Sequence, residues 1–233
     1  LPDFPYPKTI TIKQLLSHSS GIPNPIPLKW VHTQEEHDSF DYKEYFIPVF
    51  EKNKKVKKRP NEKFAYSNLG YVFLGMIIEV VSGESYTEYI NQNIIQKIGI
   101  QPEQLDFKVH NSEIHAKGYH KKVSFSNLIL GFLFDKSKFI NGTEGKWNAY
   151  KTIYVNGVSH GGLLGTGKSF VAYIQELLKP ENQVISDIYK NLLFEENILN
   201  NGKHSGMCLS WFKGELNGQK YYSHAGGGAG YYC

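Results

Sequence analysis

The sequence predicts an α+β domain in which a helical lobe comes first and packs on an antiparallel sheet formed late in the chain. Three observations predict it. Residues 68–82 repeat apolar side chains at three- and four-residue steps, with Leu69, Val72, Phe73, Met76, Ile77 and Val80 in phase. Residues 206–213 and 219–224 read as two strands joined by Glu215-Leu216-Asn217-Gly218, and an Asn-Gly pair favours a tight hairpin because both residues tolerate a left-handed backbone. No regular alternation of strand and helix patterns occurs, which argues against a parallel sheet.

The elements follow in order. Thr11 and Gln14 fit a capping box, each side chain bonding the other's backbone N–H, so a short helix is expected to about Ser17. Ser19-Ser20-Gly21 and the prolines at 23, 25 and 27 end it and open a long loop. Residues 28–60 are aromatic and charged, with at most a short helix near 41–51. The helix over 68–82 is apolar on much of its second face too, so burial on most sides is expected. Gly83 stands where a left-handed C-cap belongs. Ser85 and Glu88 form a second capping box and open a helix to about Ile98, ended by Gly99. Residues 103–160 keep no sustained period and read as an irregular lobe. A helix starting at Lys168 or Ser169 turns Phe170, Val171, Tyr173, Ile174, Leu177 and Leu178 inward and stops at Pro180; another is expected over 183–198. Gly226-Gly227-Gly228 and Gly230 allow a tight turn into a third strand.

The 233 residues suffice for one sizeable core. The expected organisation is part of one domain over 1–233, with 1–200 mainly helical lobe and loops and 206–233 supplying strands. Both ends read as cut: Leu1 is not Met, and Gly230-Tyr231-Tyr232-Cys233 reads as a strand just beginning. With 40% hydrophobic and 21% charged residues the chain sits among ordinary globular proteins. Aromatic residues make up 14%, which is read as packing before cleft lining. Much of the net charge of +4 lies in residues 52–59, KNKKVKKR. That run precedes Pro60 and has no interleaved aromatic, so it reads as a solvated loop, with no nucleic-acid partner. The longest apolar stretch, 69–81, is interrupted by Gly70, Gly75 and Glu79 and falls short of the roughly 18 residues a membrane span needs. Cys208 and Cys233 are too few for a disulfide framework. Nine histidines show no metal spacing, so no metal and no cofactor is implied. His18, His115 and His120 read as surface or packing residues. Asn141-Gly142-Thr143 is a glycosylation match of a kind common by chance.

Chemistry concentrates in four stretches: residues 10–22 (ITIKQLLSHSSGI), Tyr66-Ser67-Asn68-Leu69-Gly70-Tyr71, His160-Gly161-Gly162-Leu163-Leu164-Gly165-Thr166, and His224-Ala225-Gly226-Gly227-Gly228-Ala229-Gly230-Tyr231. A tyrosine with a pKa of about 10 is too weakly acidic to serve as a base at neutral pH, but an adjacent lysine cation favours its phenolate. Tyr66 so placed can take a proton and return it. Asn68 offers both an acceptor and donors. The plainer reading of the pair is a helix start with Asn68 as N-cap. Glycines after His224 let a substrate approach the strand backbone; the plainer reading of His224 is a strand-end histidine.

These stretches resemble segments of the serine β-lactamase family, which includes class C β-lactamases, D,D-carboxypeptidases, D-aminopeptidases and related esterases. Their order and separation also fit, and the resemblance covers nearly the whole chain. It implies a Ser-x-x-Lys motif upstream of Leu1 whose serine is acylated. It makes Tyr66 part of the proton relay and gives Asn68 the task of holding the lysine and a substrate amide. His224-Ala225-Gly226 stands where β-lactamases have Lys-Thr-Gly, Ala225 and Gly226 border the substrate, and the Gly227 N–H is one oxyanion donor. A neutral histidine binds a carboxylate less strongly than a fixed cation, which shifts weight from β-lactams towards peptides, amides or esters. The resemblance further implies a small-molecule or peptide substrate, an exported or periplasmic setting, and no activity for this segment without its serine. Ser210-Trp211-Phe212-Lys213 matches Ser-x-x-Lys formally but reads as a strand, whereas the motif needs a helical turn.

Two alternatives stand beside this. A non-catalytic binding or regulatory protein on the same scaffold is disfavoured by retention of Tyr66, Asn68 and His224. A nucleotide-binding protein is suggested by residues 162–169, GLLGTGKS, but a phosphate loop needs a buried parallel strand before it, and residues 151–156 make a poor one.

Overall fold

Both capping boxes read from the sequence start helices in the computed structural model, which describes residues 4–27, 29–124 and 137–233. Residues 125–136 of the irregular region expected at 103–160 lie outside the described residues. Thr11 Oγ1 accepts from the Gln14 N–H at 3.2 Å and Gln14 Oε1 from the Thr11 N–H at 2.9 Å, opening α1 (Ile12–Leu16). Asp41 caps α2 (Tyr42–Lys52) by accepting from the Lys43 and Glu44 N–H groups. The 68–82 pattern becomes α3 (Asn68–Ser82), closed by Gly83 at φ +76. Its N-cap is Ser67, not Asn68: Ser67 Oγ accepts from the Gly70 N–H at 3.2 Å.

The core forms where α1, α2 and α3 meet. Leu15, Trp30, Phe46, Leu69, Val72 and Phe73 are buried together. Trp30 meets Phe46 edge-on at 4.9 Å and Phe50 stacks on Phe73 at 4.5 Å, so much of the aromatic content is packing, as expected. Burial of α3 on most sides holds only for its first turns. Val80 and Val81 are 64% and 81% exposed, because the last turn runs past this core. The second capping box opens α4 (Tyr86–Ile90), which widens into a π-helical turn over Asn91–Ile95 before Gly99 at φ +72 ends it. Asn91 donates there to Asp106 Oδ1 at 2.9 Å.

The strands are short, and every pairing among the described residues is antiparallel. β1 (Val31–Thr33) lies outside the region where strands were expected. So do β2 (Leu105–Asp106), β3 (Tyr119–Lys121), β4 (Ile140–Glu144), β5 (Trp147–Tyr150), β6 (Ile153–Val155) and β7 (Leu164–Gly165). β1 pairs with β6, β2 with β7, and β5 lies between β3 and β4. Runs of two to five residues are too brief to show a two-residue period, which is why 103–160 read as irregular.

α5 (Gly167–Leu178) starts earlier than expected, because Thr166 accepts from the Ser169 N–H and caps it. Its inner face also differs. Val171 and Leu178 are exposed, while Ser169, Glu176 and Leu177 are buried. Glu176 is accommodated by Lys179 Nζ at 2.5 Å and the Gln183 N–H at 3.0 Å. α6 (Asp187–Leu193) is shorter than the predicted 183–198. Asn182 Oδ1 takes the Val184 and Ile185 N–H groups in a turn, which delays the helix. The only strand in the nucleotide-loop match is β7, which is antiparallel, and Ser169 Oγ is committed to the carbonyls of Gln104 and Thr166 at 2.7 and 2.8 Å.

The late hairpin forms as β8 (Phe212–Leu216) and β9 (Gln219–Ser223), with Asn217 at φ +51 and Gly218 at φ +76 in the turn. The first strand was expected from 206. Residues 206–211 instead form a loop with Gly206 and Ser210 at φ +74 and +71. The Ser210–Lys213 match is therefore neither a helical turn nor, at Ser210, a strand. Lys213 turns to Glu196 at 2.9 Å. The glycine-rich end forms β10 (Gly227–Gly228) paired with β11 (Tyr231–Tyr232). Among the described residues no helix is long and apolar enough to cross a membrane.

Candidate active site

The chain before α3 is pinned to the turn after α1. The Ala65 N–H donates to His18 O at 2.7 Å, the Asn61 N–H to Ser19 O at 2.7 Å, and Ser67 Oγ to Pro23 O at 3.0 Å. Tyr66 sits within this pinned segment. Its ring lies 4.1 Å from the His18 ring and 6.3 Å from the His224 ring, centroid to centroid. His224 follows β9, and its Nδ1 is 2.5 Å from Ser210 O. A carbonyl only accepts, so Nδ1 carries a proton and donates in this contact. Tyr71 completes the wall: its hydroxyl donates to Leu16 O at 2.8 Å and therefore accepts from Ser210 Oγ at 2.7 Å.

These groups border a cleft of about 270 Å³ lined by Tyr66, Tyr86, Phe107, His160, Leu163 and His224, among others. Among the described residues, no Lys, Arg, Asp or Glu side chain lines it. Burial lowers the pKa of His160 and raises that of Tyr86 to about 12, so both stay neutral near pH 7. Burial also raises the Tyr66 phenol above its usual value. A base at neutral pH needs the opposite shift, and the expected adjacent lysine is not among the groups lining this cleft. A larger hollow of about 430 Å³ between Glu36 and Tyr45 contains none of the candidate residues. Tyr66 and His224 meet at the smaller cleft, which makes it the candidate site.

The remaining candidates lie around it. Asn68 is the first residue of α3, partly buried, and its N–H donates to Asn24 Oδ1 at 3.0 Å; its carboxamide is not among the groups lining the cleft. Ala225, Gly226 and Gly227 are exposed. Gly226 exchanges both backbone hydrogen bonds with Cys233, at 2.9 and 3.0 Å. Gly227 then forms the non-hydrogen-bonded pair with Tyr232, which turns its N–H away from that strand. Two neighbours of Tyr66 and His224 escaped the sequence reading as parts of the site. His18 is indeed a packing residue, but one packed on Tyr66, and Ser210 enters through a left-handed loop. The run Ser17-His18-Ser19-Ser20-Gly21 signals a turn, not the ring it places under Tyr66. Among the described residues no group of three or more His, Cys, Asp or Glu is arranged to hold a metal.

The Beta-lactamase family profile matches residues 1–233. The chain belongs to the beta-lactamase family. This family member is 26% identical over 240 residues to penicillin-binding protein 4* of Bacillus subtilis (strain 168), an alignment covering 99% of the chain and 49% of the relative. It is 32% identical over 112 residues to protein flp of Staphylococcus aureus (strain MW2), covering 48% of the chain and 22% of that relative. The chain thus spans about half the length of the Bacillus relative. Among solved structures, the octameric penicillin-binding protein homologue from Pyrococcus abyssi superposes with a TM-score of 0.67 at 24% identity, over 94% of this chain and 46% of that one. D-amino acid amidase from Ochrobactrum anthropi SV3, complexed with D-phenylalanine, gives 0.68 at 18% identity, over 97% and 61%. Both likenesses concern fold, and they agree with the α+β class read from the sequence.

Proposed function

We propose that the full-length protein is a serine hydrolase of the beta-lactamase and penicillin-binding type, acting through an acyl-enzyme on an amide, peptide or ester. The observation that carries this is the shared cleft of Tyr66 and His224, two residues 158 positions apart whose rings come within 6.3 Å. In this reading a Ser-x-x-Lys segment N-terminal to Leu1 supplies the nucleophile and the cation that Tyr66 lacks here. Tyr66 takes the serine proton and returns it to the leaving group. The outward Gly227 N–H stabilises the oxyanion. His224, standing where β-lactamases carry a lysine, supports an amide, peptide or ester over a β-lactam, since a histidine holds a carboxylate less strongly than a fixed cation does. The likeness to a D-amino acid amidase supports the same leaning.

The test uses the full-length protein with a chromogenic ester, a D-amino-acid amide and a β-lactam, with mass spectrometry of the trapped adduct. A covalent acyl adduct is expected, and Tyr66→Phe should lower kcat about 100-fold or more. Absence of both adduct and turnover on all three substrates refutes the proposal in favour of a non-catalytic scaffold.

A further inference from the structure

Tyr66 lies between two backbone N–H groups that donate to the same residue. The Ala65 N–H donates to His18 O at 2.7 Å, and the Ser67 N–H donates to His18 Nδ1 at 3.1 Å. The Tyr66 ring lies over the His18 ring, tilted by 31° at 4.1 Å. One histidine therefore holds the chain before Tyr66, the chain after it, and one face of its ring.

His18 is itself tightly held. It is 1% exposed, its ring also lies 4.8 Å from that of Tyr71, and Phe64 meets it edge-on. Its backbone adopts φ +50, which side-chain-bearing residues keep only where the surroundings over-determine it. An N–H only donates, so Nδ1 is the lone-pair nitrogen and the proton resides on Nε2. That Nε2–H is buried and has no hydrogen-bond partner among the described residues. Burial, with His224 adding to it, lowers the pKa to about 3, so the ring remains neutral. A histidine present only for packing usually has its buried donor satisfied. Here an unsatisfied donor and a strained backbone are both retained beside the phenol.

We propose that His18 is the positioning residue for Tyr66, holding the phenol in reactive register without touching the reacting atoms. This rests on the hydrolase reading above. Displacement of a reacting group by about 1 Å costs on the order of 100-fold in rate, so a residue that fixes Tyr66 at three points bears on turnover more than on binding.

The experiment uses full-length protein carrying His18→Asn or His18→Phe. Asparagine keeps an oxygen acceptor near the Nδ1 position and tolerates φ +50, but loses the ring; phenylalanine keeps a ring and loses the acceptor. Per active site titrated, kcat should fall by about 10- to 100-fold in His18→Phe with KM within about threefold, and His18→Asn should recover part of the loss. A merely structural role would lower Tm and active-site yield while leaving kcat per titrated site unchanged, and that result overturns the proposal. In the wild-type protein, nitrogen-15 NMR should find Nδ1 unprotonated at neutral pH, with a nuclear Overhauser contact between the His18 and Tyr66 rings. A protonated Nδ1 or no contact overturns the proposal even if neither variant folds. If the wild type shows the contact but forms no acyl adduct, the hydrolase reading fails while the placement of Tyr66 by His18 stands.

Discussion

Replacing Gly75 with alanine adds one methyl group where α3 crosses the 3₁₀ turn Val158–His160, the turn that carries part of the cleft wall. The new carbon would stand 2.5 Å from Ser159 Oγ and 2.6 Å from Ser159 Cβ. At an exposed helical site the same change stabilises by about 1 kcal/mol, because glycine loses more backbone freedom on folding. Here two costs oppose that gain. Forcing a methyl group into packed surroundings costs about 1–3 kcal/mol. Moving Ser159 also breaks its hydrogen bond to Tyr71 O, 2.8 Å long, at about 0.5–1.5 kcal/mol. The costs win, and a net destabilisation of about 0.5–3.5 kcal/mol is expected. Urea unfolding of the full-length protein measures it as a lower midpoint at unchanged slope. Ser159→Gly removes both obstructing atoms, so the double variant should be more stable than the sum of the two single effects. A stabilised Gly75→Ala, or strict additivity with Ser159→Gly, would refute the packing argument.

Two further outcomes follow from single positions. Gly218→Ala should cost about 1–2 kcal/mol in urea unfolding, since φ is +76 there and nothing lies near the added carbon, leaving only the left-handed backbone penalty. A change within error would mean the hairpin turn relaxes freely. His18, with a folded pKa of about 3 against 6.5 unfolded, binds its proton more readily in the unfolded chain, so stability should fall as pH drops from about 6.5 towards 3. Its share of that slope reaches about 1.4 kcal/mol per pH unit, and His18→Asn should flatten the pH–stability curve by that amount; an unchanged curve would contradict a buried neutral ring.

Much of the helical part was legible because its signals are local. A capping box spans four residues, a left-handed glycine closes a helix by itself, and α3 repeats its apolar face over fifteen residues. The hairpin turn was legible for the same reason. What escaped prediction depends on distant partners. β1 and β6 join residues 31–33 to 153–155, and a three-residue strand carries no period. The face of α5 was misjudged because Lys179 and the Gln183 N–H make a buried Glu176 tolerable, and neither partner alters the apolar pattern of the helix. The loop at 206–211 was read as a strand because Cys208, Leu209 and Trp211 resemble one; Ser210 is left-handed and the Ser210 N–H donates to Leu16 O at 3.0 Å, a commitment 194 residues away.

The sequence alone determined the family resemblance, the helix caps and the hairpin turn, and it singled out Tyr66 as a proton relay, Asn68 as a holder of polar groups and His224 as the residue in the place of a lysine. Only the tertiary structure decided that Tyr66 and His224 share a cleft, that the Asn68 carboxamide does not line it, and that His18 lies against the phenol. The physical reason is range. Caps and turns are settled by hydrogen bonds within a few residues, whereas the site is assembled by contacts such as Ser67 to His18 and His224 to Ser210, which exist only once the intervening chain has packed.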